Sequence, residues 1–69
     1  MSRAPLTSAQ CQKGIDSSVR LAKFYEERAT RLDPVGRRFA LEDAAEQRRY
    51  EKHWKNELLK AQKRERIAI

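Results

Sequence analysis

A single cysteine, Cys11, is all the thiol chemistry this 69-residue chain has, which excludes an intrachain disulfide and a thiolate-based metal cluster. A secreted domain of this size ordinarily needs several cysteines, so the expectation is a cytoplasmic or other reducing intracellular compartment, with Cys11 serving as a small buried hydrophobe. Only two glycines occur, Gly14 and Gly36, and they are isolated. Neither forms a glycine-rich phosphate loop. Long apolar runs are missing too. The longest are Phe39-Ala40-Leu41 and Ile67-Ala68-Ile69, far short of the roughly 18 residues a membrane span requires. No apolar block follows Arg3, so a secretory signal is not expected. Large apolar groups are scarce: of 27 hydrophobic residues, nine are alanine. A chain this small buries only roughly 60% of its unfolded surface at best. Elaborate pockets are therefore not expected.

What is abundant is charge. Sixteen Lys and Arg against ten Asp and Glu give a net charge of +6. That sign excludes a DNA mimic and favours acidic or polyanionic partners. The two signs alternate along the chain, however, as they do on solvated helical surfaces.

The apolar spacing predicts an all-α fold, a two-helix antiparallel hairpin that self-associates or docks on a partner. Residues 1–6 form an irregular arm and residues 7–69 a single hairpin domain. Thr7 and Gln10 make a capping box, with Leu6 and Cys11 placed for a hydrophobic staple. Cys11, Ile15, Ser18, Ala22, Tyr25, Ala29 and Leu32 then recur at spacings of four and three, lining one face of a helix over about 8–32. Val19, Leu21 and Phe24 widen that stripe. Gly14 weakens the first turn, because glycine inside a helix costs about 1 kcal/mol against alanine, and a start near Asp16 or Ser17 is the alternative.

Asp33-Pro34-Val35-Gly36 breaks the pattern at 33–36. Pro34 disfavours helical geometry before it, while Asp33 is suited to N-cap the next helix. A tight break of this kind joins antiparallel neighbours, and a single bent helix is the alternative. The second helix runs over about 34–66, a rod roughly 50 Å long. Ala40, Ala44, Tyr50, Trp54, Leu58, Ala61 and Ala68 share one side of it, interrupted by Gln47, Glu51 and Glu65. Arg49, His53, Asn56, Lys60, Lys63 and Arg64 gather opposite. The first helix spans only some 38 Å, so part of the rod is expected to stand uncovered.

Catalysis finds no support in these residues. Ser17 and Ser18 lie on the first helix and His53 on the far side of the second, so a nucleophile–base–acid set does not converge. Glu42, Glu46 and His53 lack the carboxylate–histidine spacing of a bundle metal site. No catalytic, cofactor or metal residue is assigned, and the expectation is a non-enzymatic protein without cofactors. The anchor cluster is Tyr50, Trp54 and Leu58, since Tyr and Trp offer large apolar area with a polar handle. Packing against Tyr25, Phe24 and Val19 within the hairpin is the competing reading.

The expected function is a small protein–protein interaction module: an accessory subunit, adaptor or inhibitor of a larger complex, partnered by a second copy or another protein. The alternative is a small basic nucleic-acid-binding or ribonucleoprotein-associated protein. In that case Arg49, Lys52, Lys55, Lys60, Lys63 and Arg64 would track phosphates or an acidic partner. Residues 34–69 carry ten basic and six acidic groups, but basic groups near a helix C-terminus also complement its dipole.

Overall fold

The computed structural model describes residues 5–67 and consists of two helices, α1 (Ser8–Ala29) and α2 (Pro34–Ile67), packed side by side along their lengths. Expectations that fall on residues 1–4, most of the arm, and on Ala68 lie outside the described residues. Pro5, Leu6 and Thr7 have no regular structure. Among the described residues no strand occurs, and no helix is long and apolar enough to cross a membrane. The molecule measures 53 × 23 × 13 Å. The smallest extent is about one helix diameter, so the hairpin is a single layer with two broad faces.

Both helices start where the side chains satisfy free amide hydrogens. The Thr7 hydroxyl accepts the Gln10 amide hydrogen at 3.1 Å, and the Gln10 side chain accepts that of Thr7 at 2.9 Å. The Asp33 carboxylate accepts the Gly36 amide hydrogen at 2.7 Å, and its carbonyl accepts that of Arg37 at 2.7 Å. Helix α1 stops at Ala29, three residues earlier than the apolar spacing implies. The amides of Thr30, Arg31 and Leu32 instead donate to carbonyls three residues back, tightening the chain ahead of Pro34. The Thr30 hydroxyl competes in the same place by donating to the Glu27 carbonyl at 2.7 Å.

The core is a seam of small side chains. Cys11, Ile15, Ser18, Ala22 and Ala29 of α1 and Ala40, Ala44 and Ala61 of α2 are buried, and of these only Ile15 is a large aliphatic. Small groups let the backbones approach closely but remove little apolar area from water. Among the described residues no buried side-chain polar atom lacks a hydrogen-bond partner.

Gly14 lies within a continuous helix and does not weaken its start. It forms a socket for the indole of Trp54. A Cβ at this position would press on Trp54 Cδ2 and lie 2.5 Å from Cε2 and 2.7 Å from Cγ. The helical cost of glycine is offset by the close approach it allows between the indole and α1.

Side-chain contacts tie both ends of α2 to the segments flanking α1. Arg37 Nε donates to the Ala29 carbonyl at 3.2 Å, which ties the first turn of α2 to the end of α1. At the other end Arg64 donates to the Leu6 carbonyl at 2.9 Å. Residues 62–67 are nonetheless exposed throughout, so the last turns of the rod stand uncovered, as the helix lengths imply.

Candidate functional site

The three polar interruptions of the inner side of α2 resolve differently. Gln47 is half-buried. The Glu51 side chain, only 15% exposed, lies between Arg48 at 3.0 Å and Lys55 at 2.7 Å. Their hydrogen bonds, Lys55 first, hold its carboxyl below the usual range. Arg48 also reaches across to Glu26 of α1 at 2.9 Å, and those carboxylates raise the guanidinium above its ordinary value. Glu65 accepts the Ser8 backbone N–H at 2.9 Å and the Ser8 hydroxyl at 2.7 Å. These two bonds, the backbone one first, depress its carboxyl. A carboxylate from α2 therefore sits at the positive end of α1.

Of the anchor cluster, Trp54 and Leu58 are half-buried, with the indole set into the Gly14 socket and edge-on to His53 at 5.6 Å. Tyr50 is exposed, and its hydroxyl donates to Glu46 at 3.1 Å. That bond and the Glu46 charge push the phenol above its ordinary value. The structure therefore divides the cluster between the hairpin's own packing and its surface.

The six basic candidates divide as well. Lys55 pairs with Glu51, Lys60 with Glu57 at 3.4 Å, and Arg64 with the Leu6 carbonyl. Arg49, Lys52 and Lys63 are exposed and form no ion pair among the described residues. Three of the six are thus engaged by neighbours, with Lys55 and Lys60 still 59% and 66% exposed.

A different surface emerges when both helices are taken together. Gly14, Leu21, Tyr25 and Arg28 recur on one flank of α1 at helical spacing, with Phe24 beside them. Phe39, Asp43, Glu46, Tyr50, Trp54 and Glu57 do the same on α2. The coordinates join the two flanks: Trp54 lies on Gly14, and Tyr25, Arg28, Phe39 and Asp43 line one shallow groove. Phe24 meets Tyr25 edge-on at 5.5 Å. Tyr25, Phe39, Tyr50 and Trp54 thus lie toward one broad face, with Phe24 at its outer edge on α1. On it Leu21 is 42%, Phe24 53%, Phe39 61% and Tyr50 47% exposed.

The opposite face carries Val19 and Glu26 of α1 with Leu41, Arg48 and Lys55 of α2, and its centre is the Glu26–Arg48–Glu51–Lys55 network. A further dent, lined by Pro34, Arg37, Arg38, Leu41, Glu42 and Ala45, is built by one helix alone and has no second wall. Reading each helix separately concealed the aromatic face. The signal that finds it is the Gly14–Trp54 pairing, which sets the rotation of one helix against the other.

Among the described residues no three His, Cys, Asp or Glu side chains gather in a way that could hold a metal ion. Cys11 is fully buried. No protein-family model matches the chain, and neither a curated protein nor a solved structure matches it.

Proposed function

We propose that this protein is a small non-enzymatic interaction module that binds a protein partner through its aromatic face, in the manner of an accessory subunit, adaptor or inhibitor. The observation carrying this reading is the exposure of Leu21, Phe24, Phe39 and Tyr50 on one side of a single-layer hairpin. Exposed apolar side chains gathered on one side in this way mark an interaction site. Aromatic side chains bring large contact area at low entropic cost, and they concentrate binding energy at interfaces. Half-buried Trp54 and Leu58 extend the patch inward and stiffen it. The buried single thiol, Cys11, fits a reducing compartment.

The face is tested by comparative capture with purified, tagged protein. Phe24→Asp and Phe39→Asp both sit at exposed positions, and Arg48→Ala serves as the opposite-face control. The reading expects the wild type and Arg48→Ala to retain the same protein partner in moderate salt, and both aspartate variants to lose it. Retention that ignores Phe24 and Phe39 overturns the reading. Retention of nucleic acid that falls steeply with salt and needs Arg49, Lys52 and Lys63 would replace it with a phosphate-binding role.

A further inference from the structure

We infer that the partner covering the aromatic face is a second copy of this chain, which completes a four-helix bundle. This rests on the interaction reading and adds the identity of the occupant. Three observations carry it: area, charge and the composition of the core.

The accessible surface is 5853 Å², whereas a compact monomer of 8.1 kDa exposes about 4,500 Å². The radius of gyration, 15.7 Å, likewise exceeds the roughly 11 Å of a compact chain of this length. The single-layer shape thus exposes roughly 1,300 Å² more than a compact chain, shared between its two broad faces, and a standard interface takes about 800 Å² from each partner. Stacking two layers 13 Å thick supplies the second layer that a helical domain needs to enclose a core. The alanine seam between α1 and α2 holds the hairpin closed but leaves Leu21, Phe24, Phe39 and Tyr50 without cover. Those side chains are the right size for the centre of a bundle.

Charge selects the arrangement. Arg28 of α1 faces Asp43 and Glu46 of α2 across the aromatic face, whereas Arg31 and Glu57 are already paired with Glu27 and Lys60. Arg28 and Asp43 border the same groove at the same level, yet neither forms an ion pair among the described residues. A two-fold axis running along the helices lays α1 of each copy over α2 of the other. Arg28 then meets Asp43 of the partner subunit, every neighbouring helix is antiparallel, and each contact occurs twice. An axis across the helices would lay α1 on α1 in opposite directions, so that Arg28 and Asp43 would no longer meet. The Arg48-centred face is the poorer choice, since covering it would strip water from an ion-pair network.

The test uses the full chain and its solution mass by light scattering, with far-ultraviolet circular dichroism confirming helicity. Wild-type protein at tens of micromolar is expected at about 16 kDa, twice 8.1 kDa. Arg28→Glu alone and Asp43→Arg alone each oppose like charges twice and should weaken self-association about 10–100-fold. An equimolar mixture of these two variants should regain the dimer as a heterodimer, because each chain then meets its complement. Interactions within one chain cannot produce that rescue. A wild type of 8.1 kDa throughout the micromolar range overturns the second copy while leaving the aromatic face open to a foreign partner. A mixture that stays monomeric overturns the arrangement. A dimer that survives Phe24→Asp and Phe39→Asp places the self-contact elsewhere and overturns this inference, while the capture experiment separately decides the interaction reading.

Discussion

Gly14→Ala should destabilise the protein, although at an ordinary helical position the same change stabilises it. Inside a helix the substitution gains about 1 kcal/mol of propensity. Here the new methyl would press on Trp54 Cδ2 and lie 2.5 Å from Cε2 and 2.7 Å from Cγ, where carbon atoms settle about 3.5–4.0 Å apart. The atoms it meets include Cγ and the fusion atoms of a rigid ring, so the indole must leave its rotamer or the helices must part by about 1 Å. Overpacking of this kind costs about 1–3 kcal/mol, and a conflict with a ring belongs at the upper end. The net loss is then about 2 kcal/mol, or a fall of roughly 8–16 °C in Tm for a chain of this size. Thermal unfolding at fixed protein concentration measures it. The emission of Trp54, the only tryptophan, should shift to the red as the ring leaves its socket. In a Trp54→Ala background the obstruction is absent, and Gly14→Ala should raise Tm. A rise in Tm on the wild-type background would refute the socket.

Further outcomes follow from the same contacts. Ile15→Ala removes the only large aliphatic of the buried seam; it should cost about 3 kcal/mol, enough to unfold much of a marginal hairpin, and denaturant titration would show it. Glu65 has its carboxyl depressed by Ser8, so its contribution is present above the unfolded value of about 4.3 and disappears as pH falls through the lower folded value. The Tm gap between wild type and Glu65→Gln should therefore be open at neutral pH and closed in acid below that value; a gap independent of pH would contradict the capping role. Cys11 is fully buried, so an aromatic disulfide reagent should label it only as the hairpin opens. Ile15→Ala should speed that labelling, and instantaneous reaction of the native protein would refute its burial.

Much of the architecture is readable from short-range physics. Thr7 and Gln10, three apart ahead of an apolar spacing, define the first cap, and Asp33 with Pro34 defines the second. These signals act through side chains and amides a few residues away, and so survive in the linear pattern. The earlier end of α1 was less readable. It depends on the Thr30 hydroxyl and on the restriction before Pro34 acting together over three residues.

The surface was less legible for a geometric reason. A periodic pattern says which residues of one helix share a side, but it does not set how two helices are turned against each other. Tyr50, Trp54 and Leu58 form one stripe on α2, yet the stripe straddles the boundary between inside and outside. Trp54 finds its socket in α1, while Tyr50 stays exposed. Lys60 and Arg64 carry the same formal charge as Arg49 and Lys63, but a neighbouring glutamate and a distant carbonyl engage the first two.

The amino-acid order alone determined a basic, disulfide-free pair of helices with a sharp reversal at Asp33-Pro34, because caps, breakers and periodicity are local properties. Only the tertiary structure decided that Gly14 is a seat for Trp54, that Glu65 caps the opposite helix, and that the aromatic residues crowd toward one face. The first two join residues 40 and 57 positions apart, and the third joins the flanks of two helices. Their positions depend on helix rotation and stagger, which close packing of the alanine seam sets and no local signal encodes.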